Sequence, residues 1–240
     1  MKKAFTTIEV IVVIVIIGIL SAIALTNQQN NNMALAAHQV LNHIRYTQHL
    51  AISQHKFDPK DIMFMKTPGN SAANKGKYYR GWWQIRFQVI SPTNAANGLI
   101  GYSVYSDFDR QGGIDVKNVL NPAINPSDGR WLRLFDDCSG CSDDVFLDRK
   151  YQITNITFSD NCQDIGFRAS SLKTTVGTIV FDEKGIPYFG IANNNQNNPY
   201  QYKLTTTCNI TLTGSGGGTA TIGVEPETGY AQITNITENN

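Results

Sequence analysis

The chain has 240 residues, of which 41% are hydrophobic and 16% are charged, and its formal net charge is +1. A chain of this length is sufficient for one domain with a substantial hydrophobic core. The near-neutral charge gives no support to a nucleic-acid-binding protein, which would carry a basic excess, or to a highly charged tail.

The first predicted element is the apolar segment 5–25, with the sequence FTTIEVIVVIVIIGILSAIAL. Fourteen of its residues are Phe, Ile, Val or Leu. As a helix the segment would rise about 30 Å, close to the thickness of a bilayer core. Lys2 and Lys3 precede the segment, and the positive-inside rule then places the N-terminus in the cytoplasm. We therefore predict a transmembrane helix over 5–25, with the remainder of the chain exported.

Glu9 is the one acidic residue of this segment. A cleavable secretory signal is an alternative interpretation, and residues 21–24 (SAIA) could serve as a weak cleavage site. Signal cores avoid acidic residues, however, and a carboxylate within an apolar span is by default a functional residue. A second alternative places Glu9 at the head-group level, where it would stabilise the positive end of its own helix.

The N-terminal sequence KKAFTTIEVIVVIVIIGILSAIAL resembles that of type IV prepilins and type II secretion pseudopilins. The shared features are a short basic leader, a Phe after the cleavage point, a Glu at the fifth mature position and an apolar helix. The resemblance implies a cleaved leader at 1–4, cleavage by prepilin peptidase between Ala4 and Phe5, and N-methylation of Phe5. The chain departs from the family in having Ala4 in place of the usual Gly, and Thr26 where many pilins have a proline.

The resemblance also implies that Glu9 is an assembly residue. Cleavage would free the amine of Phe5, whose unperturbed pKa is about 7.7–8.0. In an apolar environment a carboxylate and an ammonium are each costly alone and favourable as a pair. A neighbouring subunit's amine would therefore pair with Glu9 and set the register of the stacked helices.

The segment 26–56 is predicted to continue the helix as an amphipathic element that ends before Asp58-Pro59. Its mostly apolar stripe follows the i, i+3, i+4, i+7 spacing of one helix face. The stripe consists of Met33, Ala36, Ala37, Val40, Leu41, Ile44, Thr47, Gln48 and Ala51. We expect one long helix from about Phe5 to Gln54, whose second half packs on the exported domain.

All four histidines lie on this predicted helix: His38, His43, His49 and His55. At about 100° per residue only His38 and His49 share a face, and they are about 16 Å apart, which excludes a shared metal ion. Solvent-facing or half-buried histidines are the favoured interpretation.

From Tyr78 onward the pattern is that of β-strands. WWQIRFQVI alternates, with Trp83, Ile85, Phe87 and Val89 on one face. Further strand candidates, separated by turn residues, are GLIGYSVYSD, NITF, GTIVFD, YKLTTTCNITLT, TATIGVEP and GYAQIT. The expected fold class is α+β: a long N-terminal helix, its first half transmembrane, packed on an antiparallel sheet or sandwich that forms the exported domain 57–240.

Four cysteines, Cys138, Cys141, Cys162 and Cys208, are candidates for structural disulfides, which an exported location permits. The pairing remains open among three possibilities. The alternatives are a zinc site, which usually needs a second closely spaced ligand pair, and a redox CxxC, whose thiolate the flanking acids of DDCSGCSDD would oppose.

The loop DFDRQGGIDVKN partly fits a calcium-binding loop, with Asp107, Asp109 and Gln111 at its first, third and fifth positions. Asn118 takes the place of the usual bidentate Glu. Asp107, Asp109, Gln111 and Asp115 are the calcium candidates, and an Asp-rich turn is the alternative interpretation. No other cofactor is expected.

The stretch KGKYYRGWWQIRF interleaves basic and aromatic residues, as proteins that hold single-stranded nucleic acid do. The alternation after Gly81 favours a core strand instead, so a nucleic-acid partner is not expected. The triplet NIT begins at Asn155, Asn209 and Asn235 and fits the N-glycosylation pattern, which Thr-rich strands also generate by chance.

Three further stretches, VLNHIRYTQHLAISQ, VYSDFDRQGGIDVKNVL and TIGVEPETGYAQI, are similar to H-type minor pseudopilins and their type IV pilus relatives. The resemblance implies a structural subunit of a type II protein secretion system. Such a subunit is anchored in the bacterial inner membrane by one span and assembles with other pseudopilins, through its N-terminal helix, into a periplasmic pseudopilus.

Two alternatives to this function remain open. One is a minor pilin of a type IV pilus or DNA-uptake machine, and the other is a membrane-anchored periplasmic binding protein. The chain contains no nucleophile elbow, HExxH or GxGxxG motif, and we expect no enzymatic activity.

Overall fold

The computed structural model describes residues 7–54, 78–90, 98–107, 122–135, 138–163, 173–190 and 199–237. Two α-helices lie within these ranges, α1 (Thr7–Ser53) and α2 (Leu147–Tyr151). The strands are β1 (Trp83–Ile90), β2 (Leu99–Ser106), β3 (Ile153–Phe158), β4 (Lys173–Phe181), β5 (Pro187–Phe189), β6 (Cys208–Gly214), β7 (Thr219–Val224) and β8 (Ala231–Thr237).

The strands form two antiparallel sheets of four strands each. Sheet 1 has the order β2-β1-β4-β5, and sheet 2 has the order β3-β6-β7-β8. Hairpins connect β6 to β7 and β7 to β8, whereas β1 lies between β2 and β4, which are far apart in sequence. Most regular elements of the described chain are therefore strands.

The main core lies between α1 and the inner faces of both sheets. The buried part of α1 contacts β1 and β4 of sheet 1 and β7 and β8 of sheet 2. Ala36 and Ala37 are fully buried, and their small side chains allow a close approach of the helix to the strands. Trp83, Ile85 and Phe87 belong to this core, which confirms the prediction of a core strand there.

The two halves of α1 have opposite environments. Residues Thr7–Ser21 are all exposed, whereas the predicted stripe from Met33 to Ala51 is buried, apart from the half-buried Gln48. Gln48 donates hydrogen bonds to the carbonyl oxygens of Gly185 (3.0 Å) and Thr228 (2.7 Å). The amphipathic prediction for this part of the helix is confirmed.

The predicted fold class, α+β with a transmembrane helix, is wrong. A membrane span needs about 20 consecutive, predominantly apolar residues. Among the described residues no helix combines the length and the apolarity that crossing a membrane requires. The α+β architecture with a transmembrane helix at 5–25 is thus replaced by a mostly β fold with α1 packed on two sheets. The same finding overturns the single-pass inner-membrane localisation with its cytoplasmic N-terminus and periplasmic domain.

Candidate functional site

The N-terminal half of α1 is the largest exposed apolar feature of the described chain. We call residues Thr7–Ser21 the apolar arm. Its eleven large aliphatic side chains expose between 47% and 72% of their surface. They are Ile8, Val10, Ile11, Val12, Val13, Ile14, Val15, Ile16, Ile17, Ile19 and Leu20. At roughly 1.5–3 kcal/mol for each side chain fully covered, their burial would contribute up to a few tens of kcal/mol.

The apolar arm is apolar on every side. Successive helical residues are about 100° apart, so an almost unbroken aliphatic run covers the whole circumference rather than one stripe. A helix of this kind is stable in an environment that surrounds it, and a single flat partner would cover only part of its surface. The arm is therefore suited to burial among several neighbours.

Glu9 is exposed in the first turn of α1, where a carboxylate is favourable to the helix dipole. It is the one ionisable side chain of the arm. The predicted processing residues Ala4 and Phe5 lie outside the described residues, so cleavage there and methylation of Phe5 stay predictions. Within the arm, the Ser21 hydroxyl donates to the carbonyl oxygen of Ile17 (2.7 Å), which satisfies the one hydroxyl near its end.

The second half of α1 is fixed to the domain by a buried polar network as well as by apolar contacts. His43 is 4% exposed, and its Nδ1 lies 2.7 Å from the Tyr102 hydroxyl on β2. Its Nε2 lies 3.0 Å from Nε2 of Gln39. Gln39 in turn donates to Oδ2 of Asp144 (3.3 Å), which joins the helix to the segment before α2.

Asp144 is the centre of this network. Its carboxylate accepts a hydrogen bond from Asn125 Nδ2 (2.8 Å) and pairs with the ammonium group of Lys150. Burial by itself would raise the pKa of Asp144, but the hydrogen bonds from Lys150 and Asn125 lower it overall. The carboxylate is therefore charged and already neutralised by its own partners.

Burial lowers the pKa of His43 to about 4, against the opposing attraction of the Asp144 charge. The imidazole is therefore neutral near pH 7. Two cavities lined by described residues have volumes of about 820 and 450 Å³, and neither is lined by His43, Tyr102 or Asp144. The network joins α1 to β2 and to the segment before α2.

All four predicted cysteines are in disulfides, which confirms the structural interpretation. Cys138 pairs with Cys141, and Cys162 pairs with Cys208, with Cα–Cα distances of 5.4 and 5.7 Å. The second bond connects the segment just after β3 to the start of β6, and both of its cysteines belong to the main core. In the part of the chain that the structure describes, no group of three His, Cys, Asp or Glu residues could hold a metal ion.

The calcium candidates are only partly placed by the structure. Asp107 follows β2 and is fully buried. Asp109, Gln111 and Asp115 lie outside the described residues, so the calcium loop stays a prediction.

Most aromatic residues of the basic–aromatic stretch are buried, and Tyr78 is half-buried. Tyr79, Trp82 and Trp83 are buried, and the Arg86 guanidinium lies 5.2 Å from the centre of the Tyr105 ring with 2% exposure. Base stacking requires accessible rings. The interpretation of this stretch as a core strand therefore agrees with the structure.

Comparison with models of known families, with curated proteins and with solved structures finds no match to this chain.

Sequence reasoning missed the buried polar network. Gln39 and His43 were assigned to a helix, and Asp144 was assigned to an acidic loop more than 100 residues away. Local spacing could not bring these residues together, since their contact depends on how β2, α2 and α1 pack.

Proposed function

We propose that this chain is a structural subunit of a pilus-like fibre and that it assembles by burying its apolar arm among the corresponding helices of neighbouring subunits. The observation that carries the proposal is the uniform exposure of Thr7–Ser21 on a helix whose second half is firmly docked. The arm is thereby held out at the end of an anchored helix and has no aliphatic face turned toward its own domain.

The continuity of α1 supports this role. The helix runs without a break from the arm to Ser53, and Thr7–Ser21 alone rises about 22 Å. Because the second half is fixed by the core and by the polar network, the direction of the arm is fixed by the domain. Copies of such a subunit can stack with one repeated geometry, which fibre assembly requires.

Glu9 is proposed to pair with the terminal amine of Phe5 of a neighbouring subunit. An aliphatic helix bundle has a low dielectric constant, so an unpaired carboxylate within it costs several kcal/mol. Pairing with an amine removes most of this cost and also fixes the axial offset between subunits. This step requires cleavage after Ala4, which N-terminal sequencing of the mature protein checks directly.

The finer proposal is a minor pseudopilin of a type II protein secretion system. The N-terminal motif and the stretches 40–54, 104–120 and 221–233 support it by their resemblance to that family. A type IV pilus or DNA-uptake machine would use the same arm, and the experiment below identifies the neighbouring subunit in either case.

The test is site-specific crosslinking in the native cell. A photo-activated amino acid replaces Ile14 in the middle of the apolar arm, and a control replaces Ile124, which is 46% exposed but lies outside α1. The proposal expects products between Ile14 and the N-terminal helix of another copy or another subunit, identified by mass spectrometry, and at least about ten-fold less product from Ile124. An Ile14 probe that remains monomeric, or that reacts only with lipid, would overturn the proposal.

A further inference from the structure

The two disulfides differ in how exposed their cysteines are. Cys162 and Cys208 are both 0% exposed and lie in the main core. Cys138 is half-buried, Cys141 is 3% exposed, and both line a cavity of about 450 Å³. Thiol–disulfide exchange requires that a thiolate reach one of the two sulfur atoms directly. Of the two disulfides, Cys138–Cys141 is therefore the one that is open to attack.

Cationic side chains offset part of the negative charge around this disulfide. Arg130 and Arg149 line the same cavity as the two cysteines. Of the acids that follow the second cysteine in DDCSGCSDD, Asp143 lies 3.7 Å from Arg130 and Asp144 pairs with Lys150. Neighbouring cations lower the pKa of a cysteine thiol and so favour the thiolate. The folded structure thus makes the cavity more favourable to a thiolate than the sequence indicates.

Backbone hydrogen bonds hold the two cysteines close together independently of the disulfide. The N–H of Cys141 donates to the carbonyl oxygen of Cys138 (3.4 Å). Trp131 donates to the carbonyl oxygen of Gly140 (2.9 Å) and accepts from the N–H of Ser142 (2.9 Å). We therefore expect the loop to keep its shape after reduction. The two thiols would then remain neighbours, and the bond could form again.

The lengths of the loops closed by the two disulfides also differ. Cys138 and Cys141 are three residues apart, whereas Cys162 and Cys208 are 46 residues apart. In the chain-entropy model the stabilisation by a disulfide increases with the length of the loop that it closes. Opening the short loop therefore costs the fold less than opening the long one, and we expect the protein to stay folded when Cys138–Cys141 is reduced.

We propose that Cys138–Cys141 is a thiol–disulfide exchange site that accepts two electrons from a dithiol. The first thiolate of the dithiol attacks Sγ of Cys138, the more exposed cysteine, and Sγ of Cys141 leaves as a thiolate into the cavity that Arg130 and Arg149 line. The second thiolate of the dithiol then attacks its own sulfur atom in the mixed disulfide and releases Cys138. The donor ends as a disulfide, and two protons pass from its thiols to the two cysteines.

The test measures reduction of each disulfide in the same molecule. The full chain is purified in detergent, because the apolar arm needs cover, and is mixed with dithiothreitol or with reduced thioredoxin at equal concentration. Samples are quenched with acid and alkylated, and mass spectrometry of the peptides follows each cysteine. A thioredoxin variant without its second cysteine stops the reaction at the mixed disulfide, which the proposal places on Cys138. Circular dichroism checks that the reduced protein is folded.

Two variants test the contribution of charge. Arg149→Gln removes a cation that lines the cavity, and we expect reduction of Cys138–Cys141 to slow by at least about three-fold. The matched control is Lys184→Gln, which removes one positive charge from an exposed residue that does not line the cavity. It should react at the rate of the wild type.

The proposal expects Cys138–Cys141 to be reduced at least about ten-fold faster than Cys162–Cys208 while the protein stays folded. Faster reduction by thioredoxin than by dithiothreitol would identify a protein dithiol as the donor, and the reverse would identify a small one. The proposal is overturned if both disulfides are reduced together, or if reduction requires unfolding. A mixed disulfide on Cys141, or equal rates for Arg149→Gln and Lys184→Gln, would also overturn it.

Discussion

Both halves of α1 contain aliphatic side chains, but these side chains have different surroundings in the two halves. Aliphatic side chains of the apolar arm expose 47–72% of their surface, whereas Val40 and Ile44 in the second half expose none. The second half has a polar side that faces water, and its apolar stripe has a partner within the chain. The arm has no polar side, and all of its residues are exposed.

The largest effect should come from placing a charge in each half. Ile44→Asp puts a carboxylate at a fully buried position in the main core, and we expect a loss of more than about 4 kcal/mol in the free energy of unfolding. Ile14→Asp should change it by less than about 0.5 kcal/mol, because Ile14 is exposed. Urea denaturation of the full chain in detergent, followed by near-ultraviolet circular dichroism, measures both.

Equal destabilisation by the two substitutions would mean that the arm is packed on its own domain. The comparison between the halves would then fail.

The second half of α1 packs on sheet 2, whereas the apolar arm does not. Removing a disulfide bond of sheet 2 should therefore destabilise the packing of the second half. The chain-entropy model gives about 4 kcal/mol for a disulfide that closes 46 residues, as Cys162–Cys208 does. It gives about 2 kcal/mol for the separation of three between Cys138 and Cys141. Replacing each pair by serine, and comparing the two unfolding midpoints, checks this order. A larger loss from the Cys138–Cys141 pair would contradict it.

A smaller effect should appear on acidification. His43 is neutral in the folded protein down to about pH 4, whereas in the unfolded chain it is protonated below its ordinary pKa of 6.5. The unfolded state therefore binds more protons between these values, and stability should fall as the pH falls from 6.5 to 4, by roughly 2–3 kcal/mol in all. The measurement is the free energy of unfolding against pH.

The matched pair of variants for this prediction is His43→Gln and His38→Gln. Removing His43 should flatten the pH dependence between 4 and 6.5, whereas His38, exposed on the same helix, should leave it unchanged. Asp144 contributes in a lower window: its lowered pKa stabilises the fold above the ordinary carboxyl range, and that contribution disappears as the pH falls through its folded pKa. A slope that survives in His43→Gln would show that another group titrates there.

The smallest effect on stability should come from Glu9, and the effect on assembly should be large. Glu9→Ala should leave unfolding unchanged, because the residue is exposed in the arm. It should strongly reduce crosslinking from the Ile14 position, since a neighbour's amine loses its partner. Glu9→Asp should restore only part of the crosslinking, because its side chain is shorter. Undiminished crosslinking in Glu9→Ala would remove Glu9 from the assembly mechanism and favour its role as a helix-dipole partner.

Sequence patterns predicted what depends on local periodicity. The buried stripe of α1 and the core side of β1 follow from spacings of 3.6 and 2 residues, and both were correctly predicted. The assignment of 5–25 to a membrane was wrong, because the hydropathy of a segment indicates that it favours burial but does not identify what buries it.

Contacts between distant segments could not be predicted in this way. The pairing of Cys162 with Cys208 depends on β3 and β6 being neighbours, and the bond between Gln39 and Asp144 depends on α1 lying beside the segment before α2. Sequence reasoning left three disulfide pairings open, and it gave no indication that Asp144 was more than a loop residue. The arm and Glu9 are local features that the sequence shows directly, and the assembly role of Glu9 stays a prediction.

The docking of α1 against β8 has a consequence for the order of events during synthesis. Arg45 donates to the carbonyl oxygen of Ala231 (2.9 Å), so α1, the first helix of the described chain, is completed by β8, its last described strand. At about 5–20 residues per second, the chain between them takes on the order of 10–40 s to make. Throughout that interval the apolar stripe of α1 lacks its final cover, and a ribosome that stops before β8 leaves the helix without it. A chain that ends before β8 would therefore expose the apolar stripe of the docked half as well as the apolar arm.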